Sequence, residues 1–222
     1  MNQNKQDSQI NRLRIKVCGM RDKENIIQLV QLPIDYIGFI FYSGSPRYAG
    51  TKIEPSVLRN IPSHIQKVGV FVNSTIEEIL NIANENDIEI LQLHGNETPE
   101  YCNELSEKGF TIIKSFSVNN NDISEKIADY RFSCNYYLFD APTKEYGGSG
   151  QKFEWKILDQ QKIYLPFFLS GGLAPGDEEI ITNLNIDGLH AIDLNSKFEI
   201  EPGLKNIELL KDFIEKIKKH DS

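Results

Sequence analysis

KVGVFVNSTIEEILNIANENDIEILQL, residues 67–93, carries the pattern that decides the fold. Lys67–Val72 and Ile88–Leu93 are short apolar runs rich in β-branched residues, and each suits a strand. Between them, Ser74-Thr75-Ile76-Glu77 reads as a capping box. It opens a helix with Ile76, Ile79, Leu80 and Ala83 on one face. Strand, capped amphipathic helix and strand together make one βα unit and the start of the next.

The same unit recurs in both directions. Further apolar runs lie at Leu13–Val17, Tyr36–Phe41, Thr111–Phe116, Tyr136–Asp140, Ile163–Ser170 and Gly188–Leu194. Several are apolar almost throughout, as strands buried on both faces should be. Helix signals fall between them. Thr98-Pro99 places a cap before a proline at the first helical position, and Asp122 with Glu125 repeats the box pattern. After Pro202, residues Leu204, Ile207, Leu210, Phe213, Ile214 and Ile217 follow helical spacing. The segments after strands 2 and 6 hold Pro55, Pro62 and a Gly-rich stretch, which predicts short helices there. Eight βα units without a composition break predict an α/β fold, a single closed (β/α)8 TIM barrel over residues 13–222. An open doubly wound sheet more often has about five or six strands.

Composition narrows the function. The 222 residues are 40% hydrophobic and 25% charged, which excludes a disordered or fibrous chain. A net charge of -8 makes a poor general binder of nucleic acid or of an anionic membrane. An anionic substrate would need a local site working against that field. Cys18, Cys102 and Cys134 are an odd count at wide spacing, which supports neither a disulfide framework nor a zinc site. His64, His190 and His220 show no metal-ligand spacing. The polar start, MNQNKQDSQINR, is no signal peptide, so a cytoplasmic setting is expected, with residues 1–12 as a disordered extension.

In such a barrel the active site lies at the carboxyl ends of the strands. Polar and reactive residues gather there: Cys18, Arg47, Gln92, His94, Asp140, Ser170, Gly171, Gly172, Asp193, Asn195 and Ser196. A strand simply ending where a polar loop begins explains the Asn and Ser residues, but a cysteine and a carboxylate less well. Cys18 is either a small buried hydrophobe or a thiol acting as nucleophile or base. Asp140 is either a loop cap or a desolvated carboxylic acid suited to proton donation. Arg47 is either solvated surface or a bidentate carboxylate holder. Gly171-Gly172 and Asn195-Ser196 lie where barrels often bind phosphate through backbone N–H groups. Gly147-Gly148-Ser149-Gly150 reads as a mobile loop over the mouth.

Seven stretches in order then resemble the phosphoribosylanthranilate isomerase family of tryptophan biosynthesis. They are KVCGMRD (16–22), IGFIFYSGSPRYA (37–49), VGVFVN (68–73), LQLHGNE (91–97), LFDAPTKEYGGSGQKFEW (138–155), LSGGLAP (169–175) and IDLNSKFEIEPGLK (192–205). The resemblance implies an Amadori rearrangement of N-(5-phosphoribosyl)anthranilate to the aminoketose, with no cofactor and no metal. It implies Cys18 as general base, Asp140 as general acid and Arg47 as the residue binding the anthranilate carboxylate. Gly171 and Gly172 would hold phosphate with Asn195, Ser196 and Lys197, while Gln92, His94 and Asp193 would complete the substrate-binding set. The family commonly has Ser-Ser-Gly at residues 195–197, so a left-handed backbone at Lys197 would be disfavoured here. A histidine-pathway isomerase would be expected to show two carboxylates as acid and base. Indole-glycerol-phosphate synthase would need a catalytic Lys with Glu, and a non-catalytic phosphate-binding barrel would not require Cys18 and Asp140 together. The partner is a small phosphorylated molecule, with no nucleic acid or membrane. A monomer is the default, with a homodimer as the alternative.

Overall fold

A computed structural model describes residues 12–50, 53–118, 123–141 and 154–220. Eight parallel strands close into one barrel in sequence order. They are β1 (Arg14–Cys18), β2 (Tyr36–Ile40), β3 (Gln66–Phe71), β4 (Ile90–Leu93), β5 (Thr111–Ser117), β6 (Tyr136–Asp140), β7 (Phe167–Leu169) and β8 (Leu189–Leu194). Pairing of β1 with β8 closes the ring, with Lys16 opposite Asp193. The predicted TIM barrel is therefore the observed fold. The predicted seventh run was too long: the strand begins at Phe167, and of the residues before it Pro166 reaches β6 through its carbonyl, which accepts from the Tyr137 N–H at 3.1 Å.

Alternation along the strands sorts the residues into two environments. Outward-facing Ile15, Val17, Ile37, Phe39, Leu91, Ile112, Phe139 and Ile192 are buried under the helices. Inward-facing Tyr36, Val68, Ile90, Ile113, Leu138, Phe168 and Ala191 form an apolar plug inside the barrel. Two residues further along each strand the lining turns polar: Gln92, Ser115, Asp140, Ser170 and Asp193, with Gly38 and Val70 between them. The plug is thus the floor on which the polar mouth stands.

The helices are α1 (Lys23–Leu29), α2 (Pro55–Arg59), α3 (Ile76–Asn86), α4 (Pro99–Glu107), α5 (Ser124–Ala128), α6 (Glu178–Thr182) and α7 (Ile207–His220). Thr98 caps α4 with Pro99 in the first turn, as expected. The capping box of α3 is shifted by one residue from the predicted one. Thr75 and Glu78 form it, because Thr75 has the extended backbone that lets its hydroxyl accept from the Glu78 N–H. Five-residue α2, and a 3-10 turn at Trp155–Gln160 after β6, match the short helices expected there. The helical pattern after Pro202 begins later than predicted. Glu199–Glu201 (β9) and Leu204–Lys205 (β10) pair instead as a hairpin. Leu210, Phe213, Ile214 and Ile217 of α7 are then fully buried. Residues 1–11, Asp122 of the second predicted box and the Gly147–Gly150 loop lie outside the described residues. Among the described residues no helix is long and apolar enough to cross a membrane.

Candidate active site

Cys18 and Lys16 share the inward face of β1, two residues apart. Gly38 lies opposite Cys18 on β2, and a Cβ added there would come within 2.7 Å of the sulfur. The thiol therefore fills space that any other residue at 38 would claim. Lys16 is fully buried, and its Nζ donates to Asp193 Oδ2 at 2.9 Å and to Gln92 Oε1 at 2.7 Å. Its register position opposite Asp193 places the pair directly across the closing seam of the barrel.

These bonds orient a chain of groups leading to Asp140. Because Gln92 Oε1 accepts from Lys16, the Gln92 amide nitrogen is turned toward His94 Nδ1, 3.0 Å away. The amide donates, so Nδ1 accepts and Nε2 carries the ring hydrogen. That nitrogen lies 3.7 Å from Asp140 Oδ2. Burial, with Lys114 and Lys16 nearby, holds the His94 pKa down to about 4, so the ring is neutral at pH 7. The contact with Asp140 is that of a neutral N–H dipole, not an ion pair.

Burial pushes the Asp140 carboxyl up to about 6, with Asp193 adding to the rise. The Ala141 N–H, donating to Oδ1 at 2.8 Å, works against it. Burial also pushes the Cys18 thiol up from its ordinary range, with Lys16 the largest opposing influence and Lys205 a second. The site thus favours thiol over thiolate. Cys18 and Asp140 share Lys16 and Asp193 as charged neighbours. Asp193 Oδ1 and Ser115 Oγ are buried without a hydrogen-bond partner among the described residues.

Arg47 is 7% exposed, not solvated surface. Its guanidinium makes a bidentate pair with Glu199, Nε to Oε1 at 2.9 Å and Nη2 to Oε2 at 2.7 Å. Lys205 Nζ donates to the same carboxylate at 2.6 Å and to Asn195 Oδ1 at 2.8 Å. Arg47 and Asn195 close on Gly19, where an added Cβ would sit 2.8 Å from Arg47 Cδ and 2.9 Å from Asn195 Oδ1. Gly19 is also left-handed (φ 81°), so glycine is required there on two counts.

Gly171 and Gly172 after β7 are both left-handed, with φ of 87° and 78°. Ser196–Phe198 forms a 3-10 turn after β8, and Lys197 in it is exposed. Its φ is not positive, so lysine is unstrained there. Sequence reasoning passed over Lys16, Glu199 and Lys205, although all three lie in quoted motifs. A period of two through Cys18 would have found Lys16. No local signal pairs Glu199 with Arg47. Among the described residues no group of three or more His, Cys, Asp or Glu could hold a metal ion.

A profile of the N-(5'phosphoribosyl)anthranilate (PRA) isomerase family matches residues 15–216. The chain belongs to the phosphoribosylanthranilate isomerase family. It is 45% identical over 204 residues to the N-(5'-phosphoribosyl)anthranilate isomerase of Parabacteroides distasonis, covering 91% of this chain and 92% of that protein. The crystal structure of phosphoribosyl anthranilate isomerase from Thermotoga maritima is similar with a TM-score of 0.83 at 33% identity, covering 93% of this chain and 99% of the other. A further isomerase structure, in complex with reduced 1-(o-carboxyphenylamino)-1-deoxyribulose 5-phosphate, is similar with a TM-score of 0.75 at 31% identity, covering the same shares.

Proposed function

We propose that this chain isomerises N-(5-phosphoribosyl)anthranilate to 1-(2-carboxyphenylamino)-1-deoxyribulose 5-phosphate in tryptophan biosynthesis, with Cys18 as base and Asp140 as acid. The observation carrying this reading is a thiol and a raised carboxyl on β1 and β6, facing one mouth and sharing two charged neighbours. It is joined by the family match across the barrel.

Asp140 protonates the furanose ring oxygen, and the C1–O bond breaks to give an open-chain iminium. Cys18 takes the proton from C2, leaving an enolamine. That intermediate gains a proton at C1 and loses one from O2, giving the ketone. The enzyme ends the cycle with a neutral thiol and an ionised carboxylate, and one proton passed back from sulfur to carboxylate resets it. Two transfers at separate atoms need two groups with separate pKa values, and the different surroundings of Cys18 and Asp140 provide them. The neutral His94 N–H steadies Asp140 once it is ionised. Asp193 Oδ1 and Ser115 Oγ face the same layer and suit sugar hydroxyls as acceptor and donor.

Arg47 receives the anthranilate carboxylate. The phosphate sits on the turns at Gly171-Gly172 and Asn195-Ser196-Lys197, where backbone N–H groups bind an anion without net positive charge. We read the chain as a cytoplasmic monomer. Among the described residues the exposed large apolar side chains, Ile27, Phe132, Ile180 and Ile200, lie on α1, in the turn after α5, on α6 and on β9. An isomerase from Thermotoga maritima is described as dimeric. The test is the decay of substrate fluorescence on adding purified protein. Cys18→Ala and Asp140→Asn should each lower kcat by about 10²-fold or more at unchanged fold. Near-normal turnover in either variant removes that residue's role.

A further inference from the structure

We infer that Glu199, reaching over from the β9–β10 hairpin, is a positioning residue that fixes which edge of Arg47 meets the substrate carboxylate. This rests on the reading of Arg47 given above. A guanidinium has five N–H donors on two usable edges. Glu199 takes the side edge, Nε and one hydrogen of Nη2. The end-on edge, Nη1 with the second hydrogen of Nη2, is the one left for a second bidentate carboxylate.

The hairpin holds Glu199 as firmly as Glu199 holds Arg47. Oε1 also accepts from the Gly203 N–H at 3.0 Å and from Lys205 Nζ at 2.6 Å. Lys205 is anchored in turn, because its backbone exchanges two hydrogen bonds with the Asn25 side chain of α1. Arg47 therefore arrives at the mouth with its side-chain freedom already spent, which lowers the entropy lost on binding. Its Cδ lies against Gly19, the residue next to Cys18, so the fixed guanidinium borders the reacting centre.

Charge counting shows what Glu199 does not do. Arg47 and Lys205 against Glu199 leave one net positive charge for the carboxylate. Burial holds Lys205 down to about 8, and the Glu199 charge is the largest influence opposing that fall. Neutralising Glu199 removes that support and lowers the Lys205 pKa further, so the lost negative charge is offset in part by the lysine's readier deprotonation. What disappears is the orientation of Arg47.

The experiment compares two substrates, N-(5-phosphoribosyl)anthranilate and its carboxylate-free analogue N-(5-phosphoribosyl)aniline, each at the pH of maximal kcat for the variant. Glu199→Gln should raise KM for the first by about tenfold, with kcat within about threefold, and leave KM for the second unchanged. Glu199→Asp, one methylene short, should fall between Gln and the parent, and it also serves if Gln fails to fold. The Arg47→Ala, Glu199→Gln double variant should be no worse than Arg47→Ala alone. Equal KM changes on both substrates, or a loss confined to kcat, would overturn the role of Glu199. If Arg47→Ala leaves KM for the anthranilate substrate unchanged, the carboxylate reading of Arg47 fails first, and separately.

Discussion

Titrating the enzyme should give a plateau in kcat/KM whose acid limb belongs to Asp140 and whose alkaline limb belongs to Cys18. A base titrating below its acid would give the opposite assignment. On the proposed mechanism, turnover needs Cys18 deprotonated and Asp140 protonated together. Burial pushes the carboxyl up to about 6 and the thiol above its ordinary 9.0, so the acid titrates below the base. The productive pair is then a minority arrangement. Its population is constant between the two pKa values and falls outside them. The further the thiol rises above the carboxyl, the rarer that pair becomes, and the cost of forming it is part of the catalytic barrier. The assay is iodoacetamide alkylation resolved for the Cys18 peptide across pH 6 to 10, run beside kcat/KM in the same buffers. The alkylation midpoint should lie on the alkaline side of the plateau, because only the thiolate reacts. A Cys18 that alkylates at its full rate at pH 7 would show that Lys16 outweighs burial, and the minority-pair reasoning would be refuted.

The same raised carboxyl has a stability consequence. A folded pKa of about 6 against an ordinary 3.8 means that folding takes up a proton between those values, so stability falls as pH rises through that window. Asp140→Asn should therefore unfold at higher urea than the parent at pH 8, by up to about 3 kcal/mol, with the gap closing toward pH 4. A gap independent of pH would place the effect elsewhere. Lys16→Met removes one half of a buried pair and leaves Asp193 uncompensated. It should cost about 3–5 kcal/mol, a fall in Tm of about 10 °C or more by calorimetry, and should move the Cys18 alkylation midpoint to higher pH. A midpoint that stays in place would remove Lys16 from the control of the thiol.

The barrel was legible because its causes are local. Apolar runs such as Tyr36–Ile40 and Tyr136–Asp140 sit between capped amphipathic helices, and each unit declares itself within about 25 residues. That Cys18 and Asp140 would stand on one rim was legible for a related reason: strand ends in a closed parallel barrel share it. The errors were local too. Ser74 and Thr75 are both plausible caps, and only the backbone conformation at Thr75 separates them. Leu204 fits a helical stripe by spacing but is taken by the hairpin, whose strand pairing outweighs propensity over so short a segment.

Side-chain periodicity and capping, which act over a few residues, were enough to specify eight strands, their order and the rim on which chemistry would sit. Folding alone chose the partners of the buried charges. Arg47 met Glu199 across 152 residues, and Lys16 met Asp193 across 177. No spacing encodes such pairs, because each depends on a ring that closes only when its last strand docks on its first. Burial in that closed interior then set the proton affinities of Cys18 and Asp140, for a group's pKa follows from its surroundings and not from its neighbours in the chain.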